Sequence, residues 1–286
     1  MKREGQAYAW GFLGISGFAL TLPATKAAVP LFGVIGVGIG RAVVAGIIAA
    51  GLLIFTRSPL PNRNQLWRLA SVSLGVIFGF PLFSAYAMQY VPASHGAIIM
   101  GLIPLCTALF AVIFAHERPS FSYWLAGFVG SAAIVIFSVH EGGGSLHPAD
   151  GAMLLSVISA AIGYAEGARL AKEMKSWRVI SYALVLSLPW TILICLTAGK
   201  VNWAANSTVA WTGFLYVSLI SMLLAFFAWY RGLELGGIAK IGQLQLIQPF
   251  ITIFASALLF AEKLSIEMFT TLGIVLLSVY FGRKSL

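Results

Sequence analysis

Gln245, Gln248 and Thr252 follow one another at steps of three and four residues in an otherwise apolar stretch. On a helix that spacing puts two amides and a hydroxyl on one face. This is binding chemistry. A face of hydrogen-bonding side chains must point at a ligand cavity or at another helix, because an amide turned towards lipid costs free energy. The same stretch occurs 145 residues earlier with Met100, Ile103 and Thr107 at the matching places. Aromatic residues gather at the ends of two further stretches, Phe80, Phe83, Tyr86 and Tyr90 in one, and Phe226, Phe227, Trp229 and Tyr230 in the other. Phe83 and Tyr86 share a helical face, and Met100, Tyr164 and Trp229 join them in the expected lining, whereas Tyr90 and Tyr230 read as interfacial belt residues. A wall of aromatic and methionine surface with a few amides and hydroxyls suits a ligand with an apolar side chain and a zwitterionic head.

Lys26, Arg41 and Glu166 are ionisable groups inside apolar stretches, where a charge is costly and function is the default suspicion. Lys26 and Arg41 stand towards helix ends from which they can snorkel, so a topogenic role competes with binding of a substrate carboxylate. Glu166 lies three residues before Arg169 and reads as one half of an ion pair. Glu117 and Glu262 are expected to cap or fix connecting turns. His95 opens a helix and reads as a satisfied terminal group rather than a proton carrier. Gly14-Ile15-Ser16-Gly17 matches the short string around the nucleophile of rhomboid-type proteases, but only His95 among the four histidines lies within or against an apolar stretch to serve as its base. No GxxxxGK[ST] phosphate loop occurs. No catalytic residue, metal site or cofactor is expected, and the chain is not read as an enzyme.

The elements that position these groups follow from composition. Of 286 residues, 59% are hydrophobic and only 9% charged, against roughly a quarter charged in a soluble domain. The solvent must be lipid. Ten apolar stretches, at 7–29, 33–56, 66–90, 93–115, 121–139, 150–171, 179–199, 208–231, 238–261 and 265–282, are each long enough to cross a hydrocarbon core about 30 Å thick. Their lack of period-two alternation argues against an outer-membrane barrel. With the amino terminus inside, 14 of the 18 Lys and Arg residues fall on the cytoplasmic side. Both termini are therefore expected in the cytoplasm. The net charge of +9 needs no nucleic acid, since anionic lipid is a sufficient counterion. Cys106 and Cys195 read as small apolar fillers.

Pro104 precedes Glu117 by thirteen residues and Pro249 precedes Glu262 by thirteen, an offset of 145 that divides the chain into repeats at 1–141 and 148–286. Five spans per repeat is an odd number, so the second copy enters the membrane from the opposite side. The expected fold is an all-α membrane protein of ten transmembrane helices, two inverted five-helix repeats around a central cavity, which alternate access would open to either face. Pro104 and Pro249 are then matched hinges in the middle of their helices.

Several segments resemble the EamA-type members of the drug/metabolite transporter superfamily: Phe18 to Lys26 in the first span, Arg41 in the second, Tyr90 to Ala97 with Pro104 and Glu117-Arg118, and their repeat in Leu235 to Ala239 with Pro249 and Glu262-Lys263. Within that superfamily the chain resembles the YddG-type aromatic amino-acid exporters, and the resemblance sets Glu166 at the place of Lys26. It implies a carrier of the inner or plasma membrane that exports small, mostly uncharged amino acids, with lipid as its surroundings and no obligate protein partner. The alternative within the superfamily is a carrier of nucleotide sugars, phosphorylated metabolites or drugs.

Overall fold

The structure is a computed structural model that describes residues 2–116, 120–141, 147–197, 201 and 206–283. Glu117, Arg118 and Lys200 lie outside the described residues. Among those described, the regular elements are helices: α1 (Lys2–Ala19), α2 (Thr21–Gly38), α3 (Gly40–Phe55), α4 (Arg63–Ala87), α5 (Ala93–Met100), α6 (Ile103–Ala115), α7 (Phe121–Glu141), α8 (Pro148–Ala171), α9 (Ser176–Thr197), α10 (Thr208–Gly236), α11 (Ile238–Gly242), α12 (Gln248–Phe260) and α13 (Ile266–Arg283). By length and composition, seven described runs are able to cross a membrane, and three shorter apolar helices, Gly40–Phe55, Trp124–Ala133 and Ile266–Val275, fall in the remaining expected stretches.

The first of those runs, Arg3–Gly38, has 36 residues. Unbroken, it would be about 54 Å long, well beyond the hydrocarbon core. It is not unbroken. The backbone leaves the helix at Leu20 (φ −89°, ψ 6°) and again at Gly33 (φ 68°, ψ 174°), a conformation open to a residue without a Cβ. Gly33 falls where the first two expected stretches meet. The second stretch is then interrupted at Ile39, which the sequence did not suggest.

The duplication is visible in the backbone. Helices begin at Arg63 and Thr208; both contain a widened π segment, Ser73–Gly79 in α4 and Tyr216–Leu224 in α10. Pro104 and Pro249 each occupy the first turn of a new helix, α6 and α12. The prolines therefore do not kink helix interiors as expected. They follow short tightened stretches, Gly101–Leu102 and the 3₁₀ turn Gln243–Leu246, where the α-helical bonding is interrupted while the backbone stays in the right-handed helical region. Both helices then end on a residue in the left-handed region, His116 (φ 54°) and Ala261 (φ 52°), again 145 positions apart.

Packing is reciprocal between the copies. α1 lies along α10 and, reciprocally, α8 lies along α4, while α3 meets α9 and α7 meets α13. The first of these contacts explains the GxSG string. A Cβ at Gly14 would come within 2.9 Å of the Trp229 backbone, and one at Gly17 within 2.7 Å of the Ala225 methyl, so both glycines serve close helix approach. At one end of the bundle Arg68 hydrogen-bonds Glu166 and Glu173, and Arg169 reaches the other Glu166 oxygen at 2.8 Å. The expected i,i+3 pair is thus part of a larger network that fastens α4 to α8. Near other helix ends the Glu262 carboxylate accepts from the backbone N–H groups of Ala93 and Ser94, both at 3.1 Å, and so caps α5 from the other repeat.

Two outcomes test this description. A left-handed non-glycine residue costs about 1–2 kcal/mol, and Ala261 is exposed, with little packing to lose. Ala261→Gly is therefore expected to stabilise the protein by about 1 kcal/mol, a rise of about 2–4 °C in the melting temperature in detergent; a fall would contradict the assigned backbone. Glu166 is only 4% exposed, and removing one partner of a buried pair costs about 3–5 kcal/mol. Because both arginines keep some solvent, Glu166→Ala is expected to cost about 3 kcal/mol; an unchanged melt would make the network a surface feature.

Candidate functional site

A narrow cavity lies between the two copies, walled by Phe18, Thr21, Arg41, Val76, Phe80, Met100, Tyr164, Ser221, Met222, Phe226 and Gln248. Its free volume is about 10 Å³, room for about one water. Most of this wall is built from helix irregularities. Thr21 follows the break at Leu20, Arg41 is two residues past the break at Ile39, and Met100 ends α5. Val76 lies in one π segment, Ser221 and Met222 in the other, and Gln248 opens α12 after the 3₁₀ turn. Irregular backbone at membrane depth is tolerated where it is buried in protein or lines a cavity, and π segments recur at functional sites.

The wall is aromatic and thioether surface with a few polar atoms. Phe18 meets Phe226 edge-on at 4.9 Å between centroids and lies 6.1 Å from Tyr164. The Thr21 and Ser221 hydroxyls are hydrogen-bonded to each other at 2.8 Å across the two copies. Arg41 is 1% exposed, its guanidinium carbon 5.8 Å from the Phe80 ring centre, and its Nε has no hydrogen-bond partner. Arg41 therefore does not snorkel as the sequence allowed; neighbouring helices close over it. No Asp or Glu is among the lining residues.

Of the side chains picked out by the sequence, Met100, Tyr164 and Gln248 line this cavity together with Arg41. Gln245 is buried just behind, its amide near the Tyr164 hydroxyl but without a well-formed hydrogen bond at either atom. Trp229 is also in a second layer, its ring 5.6 Å from that of Tyr164 and its Nε1 without a partner. Thr107 is buried with its hydroxyl unpartnered. Thr252 is used for packing: its hydroxyl reaches the carbonyl oxygens of Ala19, at 2.6 Å, and Gln248, at 3.0 Å. Phe83 is half-buried and Tyr86 exposed, the latter against Tyr90 and away from the wall.

Lys26 donates to the Val91 carbonyl at 2.9 Å, near the Glu262 cap, and Glu166 is held in the arginine network; neither is in the wall. His95 meets Asp150 at 2.6 Å, both buried. Tyr230 corrects an expectation. It is wholly buried rather than interfacial, its hydroxyl donating to the Gly163 carbonyl at 3.0 Å, and its ring fills space that a Cβ at Gly167 would occupy.

Phe18, Thr21, Val76, Phe80, Ser221, Met222 and Phe226 went unselected in the sequence. Phe80 and Phe226 stood in the noted aromatic clusters, but the hydroxyls of Thr21 and Ser221 carried no signal, because a lone Ser or Thr in an apolar helix usually bonds its own backbone.

Comparison with known proteins agrees with this architecture. The EamA-like transporter family matches residues 5–139 and again 147–282. The uncharacterized transporter YdeK of Bacillus subtilis (strain 168) is 39% identical over 284 residues, 99% of either chain. Protein PecM of Dickeya dadantii (strain 3937) is 24% identical over 76% of this chain and 74% of its own. A crystal structure that is 16% identical covers 97% of this chain and 96% of its own with a TM-score of 0.73, a likeness of fold. The chain belongs to the EamA-like transporter family and is a multi-pass membrane protein.

Proposed function

We propose that the protein is a secondary carrier that moves small, mostly uncharged amino acids, aromatic ones foremost, out of the cell across the inner or plasma membrane by alternating access. The observation that carries this reading is the cavity itself: aromatic and methionine walls, neutral hydrogen-bonding groups, and contributions from both copies at their matched breaks. The seven long and three shorter apolar helices are the ten spans of this reading, with the second copy inverted because five is odd and both termini in the cytoplasm because basic residues crowd that side. Export, rather than uptake, follows from the resemblance to amino-acid exporters. A carrier of phosphorylated metabolites or nucleotide sugars is the second reading, and the wall disfavours it. A phosphate wants several cations, and Arg41 is the cation in this lining.

With room for about one water, the walls must part before an amino acid enters. The π segments and the breaks ahead of Pro104 and Pro249 are where the backbone gives most easily, since their hydrogen bonding is already irregular. Matched breaks let each copy adopt the shape of the other, which moves the opening from one face to the other.

Purified protein in liposomes should take up labelled L-phenylalanine with saturation and be accelerated by unlabelled amino acid on the far side. Flux that fails to saturate would favour a pore, and absence of flux for every amino acid offered would remove the substrate class. Gln248→Ala deletes one neutral hydrogen bond, about 0.5–1.5 kcal/mol, so the apparent affinity should weaken roughly two- to tenfold while the protein remains inserted; unchanged affinity would relegate Gln248 to helix packing.

A further inference from the structure

Arg41 is a buried charge that meets no carboxylate among the described residues. Its guanidinium stays protonated in any protein environment, it is 1% exposed, and no carboxylate lies within ion-pair distance among the described residues. The acidic groups nearest in function are committed elsewhere: Glu166 to Arg68 and Arg169, Glu262 to the amino end of α5, Asp150 to His95. A buried cation is retained when an anion meets it. Around it the polar groups of the wall are the neutral Thr21, Ser221, Tyr164 and Gln248. The cavity thus has a built partner for a carboxylate and none of like strength for an ammonium group, which Arg41 would repel.

We propose that Arg41 anchors a single carboxylate of the transported molecule and that the α-ammonium group is dispensable, so the site takes aromatic monocarboxylates whether or not they are amino acids. The guanidinium fork suits a bidentate carboxylate, its carbon lies over the Phe80 ring 5.8 Å from the centre, and the rings of Phe18, Tyr164 and Phe226 receive the apolar end. Gln248 Oε1, which lacks a partner, accepts a donor from the ligand where one is present. This deepens the carrier reading and rests on the same cavity.

The test compares four probes with one aromatic ring: 3-phenylpropionate with a carboxylate alone, L-phenylalanine with both groups, 2-phenylethylamine with an ammonium alone, and phenyl phosphate. Binding to the full-length protein in detergent is read by thermal stabilisation across a concentration series. The two carboxylates should bind within about tenfold of each other, with phenylethylamine and phenyl phosphate at least tenfold weaker. Arg41→Gln should lose the carboxylates by more than tenfold, with Arg41→Lys recovering part.

Equal or better binding of phenylethylamine, failure of 3-phenylpropionate, or Arg41→Gln binding carboxylates as well as the parent would each overturn the proposal. If Arg41→Gln does not fold, the four probes on the unaltered protein still decide. Phenylalanine that binds beside 3-phenylpropionate but is not transported would sink the amino-acid carrier reading and leave this one standing; saturable phenylalanine transport with no 3-phenylpropionate binding would do the reverse.

Discussion

In lipid there is no water to satisfy a backbone group that a helix releases, so every interruption of a transmembrane helix must be answered by protein or must face a cavity. That constraint organises this molecule. The chain interrupts its helices at Leu20, Ile39, Gly101–Leu102 and Gln243–Leu246 and widens them at Ser73–Gly79 and Tyr216–Leu224. From residues within or beside these places come Thr21, Arg41, Met100, Gln248, Val76, Ser221 and Met222, all in one wall. The irregular backbone converges because one cavity and the surrounding protein answer it at once. Where an interruption falls at a helix end instead, a side chain answers it: Glu262 takes two N–H groups at the start of α5, and Lys26 takes the Val91 carbonyl beside it.

The same accounting gives the cavity its chemistry. An unpaired buried polar group costs about 1–3 kcal/mol, yet Arg41, Gln245 and Gln248 each keep at least one such atom in or behind the wall. By contrast, Thr252, equally buried and on the same helical face, is fully engaged with neighbouring carbonyls. The face that looked uniform in sequence is divided in space into a part that binds helices and a part that keeps bonds open. Duplication adds reciprocity, since the contact of α1 with α10 between the copies is answered by that of α8 with α4.

What the sequence made legible was whatever depends on residue type and spacing. The offset of 145 and the matched prolines reappear, the prolines in the first turns of helices that follow tightened backbone, and of the two amides Gln248 lines the cavity. What it concealed depends on neighbours distant in the chain. Arg41 looked free to snorkel because its burial is set by the helices that cover it. Tyr230 looked interfacial because the room for its ring is made by Gly167 on α8 and the partner of its hydroxyl is the Gly163 carbonyl, both distant in the chain. The π segments are invisible in apolar runs such as Ser73–Gly79, where no proline announces a change of pitch. Phe83 and Tyr86 share a helical face as expected, but neither is among the residues that line the cavity.

The central claim is that two copies of one unit open the same cavity to opposite faces in turn. It is tested most directly by spin-label distances for two pairs that bridge the copies at opposite ends of the bundle. Asn62 with Lys172 reports the end held by the arginine network, and Gln89 with Leu264 reports the end capped by Glu262; all four residues are exposed. In liposomes, saturating ligand should redistribute both distances in opposite senses, one pair lengthening as the other shortens. Distances that lengthen together, or that stay fixed while transport proceeds, would contradict the account.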